Sequence, residues 1–407
     1  MTGMAALIVA YVLSQFYRVF LAVLSPTLSA ELGVGAAALG WASAAWFIAF
    51  ALMQIPLGLA LDRIGPRRTA GWLTAAAGGA GALVFAGAQG AAGLIAGMAL
   101  IGAGCAPALM AAFYIFARSY PARRFALLAS AMLGVGALGN IGAAAPMAAA
   151  AAALGWRAAL VALGAVTVAT GLAMLVWLRD PPAPAARAGA DGGRGAGDDG
   201  GLRDYLALLA TPHLWPLYLM MFVNYAPVVG IRGLWAGPYL AQVFALDAGA
   251  IGLATLWMAL AMAAGSFALG PLDQILRTRK WIVAGATLTL SACCAALALW
   301  PDAGAALSVA LLAAIGFAGM SFGVMMAHAR PFFPPAMTGR GVTLMNFFCM
   351  AGVGTMQAVT GGLLAGAADP VAGAADPVAG FSAVFGFYAL ATAAVSALYV
   401  FSRDSRP

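Results

Sequence analysis

Charge is what this sequence lacks most. Asp, Glu, Lys and Arg together make up 8% of its 407 residues, while 64% are apolar. A soluble domain of this length cannot hide so much apolar surface, because a dispersed surface has to be largely polar. Cysteine is sparse too. Cys105, Cys293, Cys294 and Cys349 fall inside apolar stretches without a CxxC spacing, so they read as small buried hydrophobes, and the adjacent Cys293 and Cys294 do not suit a mutual disulfide. A G-x-S-x-G elbow, a phosphate-binding loop and a His/Cys/Asp cluster are all absent, so the chain is not expected to be an enzyme, to carry a cofactor or to hold a resident metal. The opening MTGMAALIVAYVLSQFYRVF has no basic leader and no small-residue cleavage site, and is read as a retained first span.

What is present is a series of charge-poor stretches long enough to cross the ~30 Å apolar core of a bilayer as helices. Their expected limits are 5–25, 37–61, 69–88, 91–116, 125–153, 158–178, 214–236, 248–272, 281–300, 304–327, 341–365 and 381–402, numbered spans 1 to 12. The fold class is therefore an all-α polytopic membrane protein. The 52 glycines suit helices that approach closely in lipid. The Pro-, Gly-, Arg- and Asp-rich RDPPAPAARAGADGGRGAGDDGG after span 6 reads as a disordered linker. This divides the chain into an N-terminal six-helix bundle (1–179), a linker (180–210) and a C-terminal six-helix bundle (211–407). A tandem AADPVAG at 367–373 and 374–380 is expected only to lengthen an outer loop.

The two halves resemble each other. Pro26-Thr-Leu-Ser-Ala…Leu39-Gly40 lies on Pro238-Tyr-Leu-Ala-Gln…Ile251-Gly252 without a gap, and DRIGPRRT at 62–69 falls against DQILRTRK at 273–280. Such symmetry suits a transporter built from two related bundles. With the N-terminus inside the cell, 17 of the 20 Lys and Arg fall in inner loops, Arg157 alone in an outer loop, and Arg18 and Arg232 within spans. The positive-inside rule then places both termini in the cytoplasm, and the expected setting is a bacterial inner membrane. The +7 charge is thus explained by topology, and no nucleic-acid partner is expected.

Gly58-Leu-Ala-Leu-Asp62-Arg63-Ile-Gly65-Pro-Arg67-Arg68 between spans 2 and 3 resembles the signature loop of the major facilitator superfamily. With the 6+6 layout, the resemblance covers the whole chain. It implies two pseudo-symmetric bundles that rock around a central site, and a conformational latch formed by Gly58, Asp62, Arg63, Gly65, Arg67 and Arg68. Gly65 suits a tight turn and Asp62 a helix N-terminus.

An ionisable side chain at membrane depth is a functional candidate, because its insertion costs at least ~2.5 kcal/mol. Arg18, in Ser14-Gln15-Phe16-Tyr17-Arg18, and Arg232, after Asn224-Tyr225, are the two strong cases, and they occupy corresponding spans. No Asp or Glu is expected inside a span, so a small organic anion is favoured over a cation as substrate. The resemblance extends to the organophosphate branch of the superfamily, whose first-helix arginine precedes a Pro-x-Leu by eight residues, as Arg18 precedes Pro26-Thr-Leu. The expected substrate site comprises Arg18, Arg232, Tyr17, Gln15, Asn224, Tyr225, Asn346 and Gln357, with His328 as a candidate for proton coupling. Asn140, Gln54 and Tyr114 are further polar candidates for the cavity wall. The alternatives are a drug or metabolite efflux transporter and a copper importer, the latter on Met258-x-x-x-Met262 at one-turn spacing. The expected partners are the lipid bilayer and one small-molecule substrate, bound by a monomer.

Overall fold

In a computed structural model the described residues, which are 2–181, 201–334, 337–366 and 376–405, form helices joined by short turns. Eleven helices are long and apolar enough to cross a bilayer, and a bent pair supplies the twelfth span. Span 1 is that pair, Gly3–Phe16 and Phe20–Leu32, bent by 49°. The next five are Ala36–Leu61, Pro66–Ala86, Ala91–Phe116, Gly134–Leu154 within the longer helical run from Ala122, and Trp156–Trp177. Spans 7 to 12 are Pro212–Phe244, Gly249–Leu276, Lys280–Leu299, Ala305–Phe332, Thr338–Gly366 and Pro377–Tyr399. The spans alternate between a face that carries the linker and an opposite, far face. Large apolar side chains such as Trp41, Trp72, Trp257, Phe267 and Leu390 stand outward and exposed, as a lipid-facing belt requires.

Several helices run past their expected ends. Span 1 reaches Leu32, span 7 reaches Phe244 and span 10 reaches Phe332, because apolar character fades gradually at a membrane surface while backbone bonding continues. This corrects the expectation that no acid lies in a span. Glu31 and Asp273 occupy the last turns of spans 1 and 8, where Glu31 pairs with Arg157 at 2.7 Å and Asp273 with Arg279 at 3.0 Å. Both are paired at a membrane face and neither reaches the middle. Within the expected linker, residues Gly201–Leu209 form a helix that buries Tyr205 and Leu208. The rest of that linker, at 182–200, and most of the tandem repeat lie outside the described residues. The repeat's second copy is more than a loop extension: Asp376 caps span 12, accepting bonds from the Val378 and Ala379 amides, and Pro377 opens the helix.

Each bundle has its own aromatic core. Phe16, Tyr17, Phe20, Phe85 and Trp156 interlock in the first, and Tyr239, Phe244, Phe381 and Phe385 in the second. Small residues let the helices touch between these cores: a Cβ on Gly102 would run into the Trp46 backbone, and one on Gly352 into that of Phe222. The bundles meet toward the far face. A Cβ on Gly40 of span 2 would lie 2.8 Å from the Gly361 Cα of span 11, and Ser43 donates a buried hydrogen bond to Gln357 at 2.5 Å.

Candidate functional site

Arg18 sits in the break of span 1. Between Phe16 and Phe20 the backbone leaves the α-helical ladder for tighter bonds, Val19 N–H to Phe16 O and Ala22 N–H to Val19 O. Pro26 prevents the usual bond to the Ala22 carbonyl, and the Ser25 hydroxyl takes that acceptor instead at 3.0 Å. The guanidinium carbon lies 5.2 Å from the ring centre of Trp46 and 5.3 Å from that of Phe50, both on span 2. Aromatic faces attract a cation without using its N–H groups. The Arg18 Nε is buried and has no acceptor among the described residues.

Arg232 is deeper in its span than expected. Because span 7 continues to Phe244, the arginine is not close to the span's end, where it could have reached the interface. Span 7 is itself interrupted, first by Tyr225-Ala226-Pro227 and then by a wide π-helical turn at Ile231–Trp235 that carries Arg232. Such turns cost backbone regularity and often mark functional positions. Arg232 Nη1 donates to Asn140 Oδ1 of span 5 at 3.3 Å, while its Nε is buried without an acceptor among the described residues.

The arginines converge. A Cβ on Gly233 would lie 3.5 Å from the Arg18 carbonyl, and both guanidiniums are within electrostatic reach of the Tyr225 hydroxyl. Tyr225 packs on Phe322 of span 10 at 5.3 Å. Gln15 donates to the Tyr11 hydroxyl at 2.8 Å, and these side chains lie against Gly136 and Gly139 of span 5, beside Asn140. Asn346 is half-buried, one turn from Cys349, whose thiol Arg18 reaches electrostatically. Arg18, Arg232, Gln15, Tyr225 and Asn140 are therefore brought together.

Other expected residues face elsewhere. Tyr17 is fully buried inside the first bundle and bonds to Thr167 at 3.0 Å. Asn224 is buried in the second bundle, donating to Thr287 at 2.7 Å and Ser321 at 2.9 Å. Gln357 belongs to the far-face contact through Ser43. Gln54 is buried and bonds to its own helix at Phe50 O, and Tyr114 lies under Arg118 at 4.1 Å. A one-dimensional pattern cannot tell which side of a uniformly apolar helix faces the other bundle. His328 is fully buried at the linker face, between the Tyr399 hydroxyl at 2.5 Å and the Arg403 carbonyl at 3.0 Å. Met258 packs against Gly316, and Met220 and Met325 accept bonds from Thr287 and Tyr399, so these methionines fill the core. Nothing along the chain singles out Trp46, Phe50 and Phe322, because aromatics among so many others carry no distinguishing signal.

The signature loop is tied to its own bundle. Gly65 adopts φ +91°, and Arg67 donates through its amide to Asp180 at 2.8 Å and through Nε to Leu175 O at 2.5 Å. Arg63 and Arg68 are exposed, and the Asp62 side chain lies outside the described ones. A Cβ on Gly58 would lie 4.0 Å from the Tyr205 hydroxyl of the linker helix.

The family model of the Major Facilitator Superfamily matches residues 7–231. The chain belongs to this superfamily. No curated protein matches the sequence. Among solved structures, a bacterial homolog of the human lysosomal transporter Spinster, inward-facing and unoccupied, is similar at TM-score 0.73 and 17% identity, covering 98% of this chain and 96% of that one. A mutant form of the nucleoside transporter NupG aligns at TM-score 0.72 and 14% identity, over 98% and 99% of the two chains. A D-xylose-proton symporter aligns at TM-score 0.71 and 15% identity, over 99% and 98%. At these identities the likeness is one of fold. The protein is an integral membrane transporter of two six-helix bundles, a family whose members are generally not enzymes.

Proposed function

We propose that the chain carries a small organic anion across the membrane by alternating access, with Arg18 and Arg232 binding it between the bundles. The observation that supports this reading is that Arg18 and Arg232 stand on touching segments of spans 1 and 7, each with a buried Nε–H that has no acceptor among the described residues, while Glu31 and Asp273 are paired at the membrane faces. A guanidinium offers planar, paired donors that match a carboxylate or phosphate. An anion between the two cations would restore charge balance in a low-dielectric setting.

Bundle limits of 1–179 and 211–407, joined by 180–210, fit this scheme, and the basic linker face is assigned to the cytoplasm. With the bundles joined toward the far face, the arrangement suits a state open to the cytoplasm. Anion binding and the later opening of that far-face contact would be successive steps of one cycle.

The test is thermal stabilisation of the purified protein by a panel of anions, lipophilic cations and neutral solutes. A ligand present at about 100 times its Kd stabilises the folded state by about 2.7 kcal/mol. Arg18→Gln is expected to abolish the anion's stabilisation and its uptake into proteoliposomes while leaving ligand-free stability within a few degrees. A shift with lipophilic cations that survives Arg18→Gln would favour efflux of drugs instead.

A further inference from the structure

Arg232 is held by a neutral oxygen from the opposite bundle. Asn140 stands on span 5 where the glycines before it admit span 1: a Cβ on Gly139 would collide with Val12 O and meet the Gln15 Cβ at 2.9 Å, and one on Gly136 would strike the Tyr11 ring. Those contacts fix the backbone that presents the amide. Its Oδ1 accepts from Arg232 Nη1 at 3.3 Å, beyond the usual N–H···O distance, and the Arg232 Nε remains buried and unused among the described residues. The bond crosses from the first bundle to the second.

We propose that Asn140 is a specificity-determining placeholder: it occupies Arg232 in the absence of substrate, and the anion displaces it. The inference rests on the anion reading above. An amide oxygen is a weaker acceptor for a guanidinium than an ionised carboxylate or phosphate, whose charge-assisted bonds are shorter and about twice as strong. The exchange therefore runs toward the anion when one is present and back to Asn140 when it leaves. Because Asn140 and Arg232 belong to different bundles, each exchange makes or breaks a bond between them. Substrate occupancy thus acts directly on the contact between the moving parts. The neutrality of residue 140 is essential to this role. A carboxylate of the same shape there would be a permanent internal counterion with no entropy to lose on binding, and it would exclude the substrate.

The experiment compares Asn140→Asp and Asn140→Ala with the wild-type protein in the full chain. The probes are inorganic phosphate, succinate, lactate and benzoate, read by thermal stabilisation and by proteoliposome exchange. For the anion that stabilises the wild type best, Asn140→Asp is expected to raise the apparent Kd by at least about tenfold, to suppress exchange, and to raise ligand-free Tm. Asn140→Ala, which removes the competitor, is expected to bind that anion at least as tightly as wild type. Unchanged affinity in Asn140→Asp overturns the proposal. So does an affinity loss in Asn140→Ala as large as in Arg232→Gln, which would make Asn140 a direct ligand of the anion. If Asn140→Asp does not purify as a folded protein, Asn140→Ala decides on its own. A wild-type protein stabilised by none of the probes, and by no other anion, overturns the anion reading itself, an outcome distinct from the two above.

Discussion

The two bundles solve the same problem at their linker-face corners with different residues. Between spans 2 and 3 the chain turns through Gly65, and the start of span 3 is held by Asp180, which accepts the Arg67 amide at 2.8 Å. Between spans 8 and 9 it turns through Arg277, and the start of span 9 is held by Asp404, which accepts the Arg279 and Lys280 amides at 3.2 and 3.0 Å and the Thr278 hydroxyl at 2.5 Å. In each case an acid just beyond the bundle's sixth span satisfies N–H groups that a helix start leaves unbonded. The second corner is the more elaborate: Arg279 also bridges Asp273 and the Ala327 carbonyl, and His328 lies 4.0 Å from Asp404. Both bundles therefore lean on the chain that follows their sixth span, the second through more bonds than the first.

Removing the two acids is accordingly not expected to have equal effects. Asp404→Ala strips three donors of their acceptor, and a loss of about 2 kcal/mol is expected from the upper end of the capping range. Asp180→Ala removes one amide acceptor, and about 1 kcal/mol is expected. Apparent Tm values of the two variants in detergent provide the comparison. Equal losses would mean that the extra bonds at the second corner add nothing. For the same reason, truncation after span 12 should destabilise the second bundle, although such tails are often dispensable.

Acidity probes the second corner from another direction. Burial alone would raise the pKa of Asp404, but the bonds from Thr278, Lys280 and Arg279 outweigh it and hold the group below its usual value. A carboxyl whose pKa is lower folded than unfolded contributes stability that is fully present above the unfolded pKa, about 3.9 for Asp. That contribution fades as pH falls through the folded value. The apparent Tm of the wild type should therefore drop below about pH 4, and Asp404→Asn should flatten that part of the profile. An identical acid limb in both proteins would remove Asp404 from the explanation.

The fold was legible because its signals are long and local. Twelve apolar stretches and the basic inner loops can be read along the chain, and DRIGPRRT and DQILRTRK mark the two corners. The acids that complete those corners were not legible. Asp180 acts on a residue 113 positions earlier and Asp404 on one 124 positions earlier, and nothing near either residue distinguishes it from a solvated linker or tail charge. The site divides the same way. Arg18 and Arg232 stand out because charge at membrane depth is costly. Tyr17 and Asn224, close to them in sequence, point into the bundle cores because successive helical residues project about 100° apart. Asn140 was recognisable as polar, but its bond to Arg232 depends on how span 5 meets span 7 across the bundles.

In the turns themselves the two corners should respond with opposite sign, and the smallest expected effect is at Arg277. Gly65 has φ +91°, and a Cβ on it would lie 2.9 Å from the Asp180 carboxylate. Gly65→Ala thus combines a left-handed backbone with displacement of the capping acid, and should cost about 1–2 kcal/mol. At the second corner Arg277 already occupies the left-handed region, with φ 52°, and bears a full side chain there. Replacing it by glycine relieves about 1 kcal/mol of backbone strain, partly offset by the greater freedom of glycine in the unfolded chain. Arg277→Gly should therefore raise stability by no more than about 0.5–1 kcal/mol, a shift of a few degrees at most. A destabilising Arg277→Gly would mean that this side chain makes a contribution at the corner larger than the strain it imposes.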